Sequence, residues 1–165
     1  MGVTVSGNGV QQGGAGRPRR YLVVANQCVC NEELLDTVRE CMARGPAAFH
    51  VVVPATPPLD SFVWSEEEAH SSARSRLESA LSCFSSVGAE VTGEIGDLNP
   101  VEAVGDALRA AQYDEILLST LAPGASRWLK QDLPRRLLRR YAQPLTLVIA
   151  LAEPRVAPLP ALSAA

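Results

Sequence analysis

RYLVVANQCVCNEELLDTVRECMARGPAAFHVVVP, residues 20–54, is the stretch on which the fold turns. Its opening run, Tyr21-Leu-Val-Val-Ala25, is short, apolar and β-branched, and predicts a strand over Tyr21–Asn26. Asn31 then offers a side-chain cap, Glu32 and Glu33 suit the positive end of a helix, and Leu34, Leu35, Val38, Cys41 and Met42 recur on one face. Gly45-Pro46 stops that helix, and Phe49–Val53 follows as a nearly unbroken apolar run. An unbroken run is the mark of a strand covered on both faces, as in a parallel sheet.

The rest of the chain repeats the unit. Ser65 and Glu68 form a capping box that opens a helix with Ala69, Ala73, Leu77, Ala80, Leu81 and Phe84 on its apolar stripe, closing at Gly88. Ala89–Ile95 alternates like a half-covered strand, and Asn99-Pro100 caps a helix that buries Val101, Val104, Ala107, Leu108 and Ala111. Glu115–Ser119 is the fourth strand. A last helix, lined by Leu133, Leu137, Leu138 and Tyr141, leads to a fifth strand over Pro144–Ala150. Alternating strands and helices with short connections imply an α/β fold: a doubly wound, mostly parallel five-stranded sheet with right-handed crossovers and helices on both faces. Ligands of such sheets lie beyond the carboxyl ends of the strands, where strand order reverses. Those ends are Asn26-Gln27, Pro54-Ala55 and Ser119-Thr120.

Outside this body, residues 1–19 are rich in Gly, Ser, Gln and Arg without apolar periodicity, and read as a flexible tail. Residues 153–165 form a Pro/Ala-rich tail, leaving residues 20–152 as one domain. A net charge of -3 gives no general attraction to nucleic acid or to an anionic membrane. No apolar run reaches the roughly 18 residues of a membrane span, and the first twenty residues hold no signal-peptide stretch, so the expected compartment is the cytoplasm. The four cysteines, Cys28, Cys30, Cys41 and Cys83, lack the spacing of a secreted disulfide framework and are expected reduced, with no partner for Cys83.

The pieces RRYLVVAN, HVVVPA, GEIGDLNPVEAV, YDEILLST and RRLLRRYAQPLTLV, in that order, resemble the universal stress protein family over nearly the whole folded body. The resemblance implies strand order 3-2-1-4-5, no established catalysis, and homodimers built through the last strand. ATP-binding members usually carry an Asp after strand one, and after strand four a glycine, two residues, a glycine, nine residues and a glycine followed by Ser or Thr. Here Asn26 takes the Asp position, Gln131-Asp132 the final pair, and Gly124 alone survives in Ser119-Thr-Leu-Ala-Pro-Gly124. Backbone N–H groups cradle phosphate where glycine allows close approach, which Gln131 obstructs. Asp132 adds a repulsion of about 1 to 4 kcal/mol toward a triphosphate, while Arg127 and Lys130 offer opposite charge.

The resulting candidate nucleotide site is Asn26, Gln27, Pro54, Ser119, Thr120, Gly124, Ser126, Arg127 and Lys130, with ATP or another adenine nucleotide as its ligand and no metal or catalytic residue. The expected function is a non-enzymatic regulatory or stress-response protein, nucleotide-independent or only weakly nucleotide-binding, that acts as a homodimeric interaction module on a protein partner. The alternative is an adenine-nucleotide sensor using that cleft.

Other chemistry-bearing residues have plainer readings. Arg135, Arg136, Arg139 and Arg140 form the solvated face of the last helix, and Trp128 anchors its loop. One residue separates Cys28 from Cys30, against two in zinc and redox pairs. His50 alternates with apolar neighbours as a hydrogen-bonded interior residue, and His70 sits on an exposed helix face. No GxSxG, SGGxDS or HxGH motif is present, and GNGVQQGGAG lacks the Lys-Ser/Thr of a phosphate loop.

Overall fold

A computed structural model of the chain describes residues 16–27, 29–57, 63–122 and 126–151, the side chain of Arg127 excepted. Cys28, Gly124, residues 1–15 and residues 152–165 lie outside the described set. Strands and helices alternate as the sequence predicts: β1 (Arg19–Ala25), α1 (Glu32–Ala43), β2 (Ala47–Pro54), α2 (Glu66–Ser86), β3 (Glu90–Gly96), α3 (Pro100–Ala110), β4 (Glu115–Leu121), α4 (Arg127–Lys130), α5 (Leu133–Arg140) and β5 (Leu145–Ala150). The five strands form one parallel sheet in the order β3-β2-β1-β4-β5.

The apolar runs of β1 and β2 are explained by that order. Successive side chains of a strand point to opposite faces, so a strand covered on both sides needs apolar residues throughout. Tyr21, Val23 and Ala25 of β1, with Phe49, Val51 and Val53 of β2, pack against Leu34 and Val38 of α1 and Phe84 of α2. Leu22 and Val24, with Val52, Ile116 and Leu118, face Val101, Val104 and Ala107 of α3 and Leu133 and Leu137 of α5. Each such buried aliphatic side chain contributes about 1.5–3 kcal/mol relative to exposure.

The predicted starts of α1, α2 and α3 hold for local reasons, whereas β1 begins at Arg19, two residues before the predicted strand, and β4 runs on to Leu121, past its predicted end at Ser119. The Asn31 carboxamide oxygen accepts from the Leu34 N–H at 2.8 Å. Ser65 and Glu68 exchange both bonds of the capping box, at 3.2 and 3.0 Å. Asn99 accepts from Val101 at 3.0 Å ahead of α3. Gly88, just past α2, takes a left-handed backbone with φ 81°. In β3 a Cβ at Gly93 would stand 2.5 Å from Leu77 of α2, and one at Gly96 would stand 2.6 Å from Ala103 of α3. Both helices approach this strand closely, one on each face.

Three expectations are corrected. Cys30 and Cys83 are disulfide-bonded, their Cα atoms 6.0 Å apart, where reduced thiols and no partner for Cys83 were expected; Cys41 is free and buried. Leu138, read as part of the apolar lining of the last helix, is 55% exposed, because an eight-residue helix turns only Leu133 and Leu137 onto the sheet. The segment before α5, read as loop, contains the one-turn helix α4, with Ser126 accepting from the Leu129 N–H at 3.1 Å. No described helix is long and apolar enough to cross a membrane.

Candidate functional site

The strand order reverses between β1 and β4, so the carboxyl ends of these two strands frame the cleft in which this architecture places ligands. Ala25 pairs with Ser119 in the sheet register, which sets Asn26 beside Thr120. On the other side Val24 pairs with Val52, bringing Asn26 level with Pro54. Of the sequence-predicted site, Asn26, Pro54, Ser119 and Thr120 therefore converge. Gln27 is exposed beside them. Gly124 and the Arg127 side chain are outside the described residues; Ser126 is buried and caps α4, and Lys130 is exposed at its end.

The cleft floor is polar and internally bonded. Asn31 does two things at once: its oxygen caps α1, and its nitrogen donates to the Ser119 hydroxyl at 3.3 Å. One carboxamide thus joins the start of α1 to the end of β4. The Thr120 hydroxyl donates to the Leu121 carbonyl at 3.1 Å. Glu33, in the first turn of α1, accepts from the Leu151 N–H at 3.2 Å through one oxygen, and its Oε2 is buried with no hydrogen-bond partner among the described residues.

Asn26 is also committed on both sides. Its nitrogen donates to the Thr56 hydroxyl at 2.7 Å, and its oxygen accepts from the Arg76 guanidinium at 2.7 Å. Arg76 was not among the residues singled out from sequence, although a signal existed. Ala69, Ala73, Ala80 and Phe84 are the buried residues of α2, and position 76 falls on the same stripe at helical spacing. An arginine on a buried stripe marks a site where charge is wanted inside. Burial pushes the Arg76 guanidinium below its ordinary value, with no carboxylate contributing.

The basic residues after the cleft behave as their spacing predicts. Arg135, Arg136, Arg139 and Arg140 are exposed, with Arg140 paired to Glu102 at 2.9 Å and Arg135 to Asp132 at 3.8 Å. Trp128 is buried in the α3–α5 core and anchors its segment. Asp132 has φ 55°, the left-handed region, so the backbone adopts there the conformation that glycine favours. His50 bonds Thr92 at 2.8 Å, lies 3.3 Å from Glu94 and stacks on Tyr113, well within the sheet and away from the cleft; His70 is exposed. Among the described residues no group of three His, Cys, Asp or Glu is arranged to hold a metal.

A hollow of about 600 Å³ opens at the ends of β2 and β3, lined by Trp64, His70, Ile95, Leu98, Glu66 and Asp97 among others. Its two carboxylates disfavour a phosphate there.

Solved structures of universal stress proteins share this fold. One, in complex with cAMP, is 15% identical with a TM-score of 0.52, over 80% of this chain and 97% of that one. A second, from Burkholderia pseudomallei, is 16% identical with a TM-score of 0.57, over 78% and 94%. A third, from Archaeoglobus fulgidus in complex with dAMP, is 15% identical with a TM-score of 0.57, over 80% and 98%. The chain has the universal stress protein fold, and the likeness at this identity is one of fold. No protein-family model and no curated protein sequence matches the chain.

Proposed function

We propose that the chain is a divergent universal stress protein that binds an adenine mononucleotide and signals its presence without catalysing a reaction. The observation that carries this reading is the convergence of Asn26, Asn31, Ser119 and Thr120 at the switch point of an otherwise apolar sheet. A few convergent polar side chains in an otherwise apolar setting are the kind of lining that orients a small polar ligand. Structures of the same fold with cAMP and dAMP support an adenylate with a single phosphate. Gln131 and Asp132 at the glycine positions, with Asp132 exposed, weigh against a triphosphate. Titration calorimetry with AMP, cAMP, ADP and ATP is expected to give heat for the monophosphates and little for ATP. Silence from all four at near-millimolar ligand would overturn the reading.

The outer edge of the sheet supports a further part of the proposal, association through β5. Among the described residues this strand pairs only with β4, and it presents Leu147, 38% exposed, with Leu151 beyond it at 79%. A bare apolar edge invites a second copy. Light scattering is expected to show a dimer that Leu147→Lys converts to monomer; a monomer at every concentration of the unaltered chain would remove this part.

A further inference from the structure

Resting on the adenylate reading, we infer that Arg76 is the anion-recognising group of the cleft, and that the neutral Asn26 at the end of β1 leaves its charge free for a ligand phosphate. The guanidinium is half-buried and, among the described residues, makes one hydrogen bond, to the Asn26 carboxamide. No carboxylate among the described residues pairs with it; the other described arginines without one are exposed, as Arg44, Arg74, Arg136 and Arg139 are, or lie over an aromatic ring, as Arg20 does over Tyr113. A guanidinium carries five N–H donors, of which the bond to Asn26 uses one, and among the described residues the others meet no acceptor. A cation removed from water without a counter-charge is costly, and a phosphate oxygen pair relieves that cost with matching bidentate geometry.

The surroundings hold the group in place. Thr56 fixes the Asn26 amide so that its oxygen faces the guanidinium. About two helical turns along α2, the Cys30–Cys83 bond ties this helix to the loop that carries Asn26. Arg76 is therefore set at the carboxyl end of the central strand before any ligand arrives. The choice of Asn at position 26 then has a chemical meaning. An Asp there would pair with Arg76 and cancel its charge; Asn orients the fork and keeps the site positive.

The test compares AMP, adenosine and inorganic pyrophosphate by calorimetry at low salt, on the unaltered chain and on Arg76→Met, Arg76→Lys and Asn26→Asp. Circular dichroism serves as the folding check. AMP is expected to bind roughly ten- to hundred-fold tighter than adenosine. Arg76→Met and Asn26→Asp should both erase that difference, and Arg76→Lys should restore part of it. Adenosine binding should persist in all three variants. Equal affinity of the unaltered chain for AMP and adenosine, or an AMP affinity indifferent to Arg76→Met and Asn26→Asp, overturns the inference and leaves the adenylate reading standing. Pyrophosphate bound by the unaltered chain and lost in Arg76→Met, with no nucleotide bound, upholds the anion site and removes the adenylate reading. No binding of any of the three ligands overturns both.

Discussion

Asp132 is the one described non-glycine residue with positive φ, at 55°. An L-residue in that region bears a cost of about 1–2 kcal/mol, less for Asp and Asn because their side chains bond locally. Asp132→Gly should leave the urea midpoint unchanged or raised, whereas Asp132→Val, β-branched and unable to adopt the conformation, should lower stability by about 1–2 kcal/mol. Counting back from Pro144 places the phosphate-loop glycine at Gln131, and the backbone turns left-handed one residue later. Spacing along a chain does not report φ, so the left-handed turn at Asp132 is visible only in the folded backbone. Arg76 was legible only in part. Helical spacing puts it among Ala73, Ala80 and Phe84, but its meeting with Asn26, fifty residues earlier, exists only once α2 has packed on the sheet.

At the level of elements, the starts of α1, α2 and α3 were readable because a cap is a contract between residues two or three apart, as in Asn31 to Leu34, Ser65 to Glu68 and Asn99 to Val101. The cysteine pairing was not readable. Cys30 and Cys83 are 53 residues apart, and the nearby Cys28 made the wrong spacing look relevant. Closing a loop of that length restricts the unfolded chain by about 4 kcal/mol on the chain-entropy estimate. Reductant should therefore lower the urea midpoint of the unaltered chain to that of Cys83→Ser, and should leave Cys83→Ser itself unmoved. Coincident oxidised and reduced transitions would show that the bond adds nothing to the folded state. Cys41 does not confuse this measurement, because burial first of all pushes its thiol up and keeps it protonated inside the core.

For the whole molecule, Tyr21, Cys41, Tyr113 and Tyr141 all have their titration pushed upward, with burial the leading cause in each. The folded chain holds protons that the unfolded chain gives up, so stability falls with pH wherever the two differ. The contribution is complete below the ordinary values of 9.0 for the thiol and 10.0 for the phenols, and is lost as pH rises past them. Urea midpoints should be level near neutrality and decline beyond those values; a level profile far into the alkaline range would contradict the burial of these groups. The sheet order was legible through the family resemblance, and the topology agrees with it. Periodicity supplied the five strands and their two-sided burial, but nothing local to a strand states which neighbour it takes.

The two margins of the sheet are chemically unlike. β3 exposes Glu90, Thr92 and Glu94, whereas β5 offers Leu145, Leu147 and Ile149. A body with one adhesive margin has a valence of one: two copies that meet there saturate each other, and the charged margins left facing outward repel a third. Association through β5 would end at a closed pair, so a rise in cellular concentration fills dimers without seeding filaments.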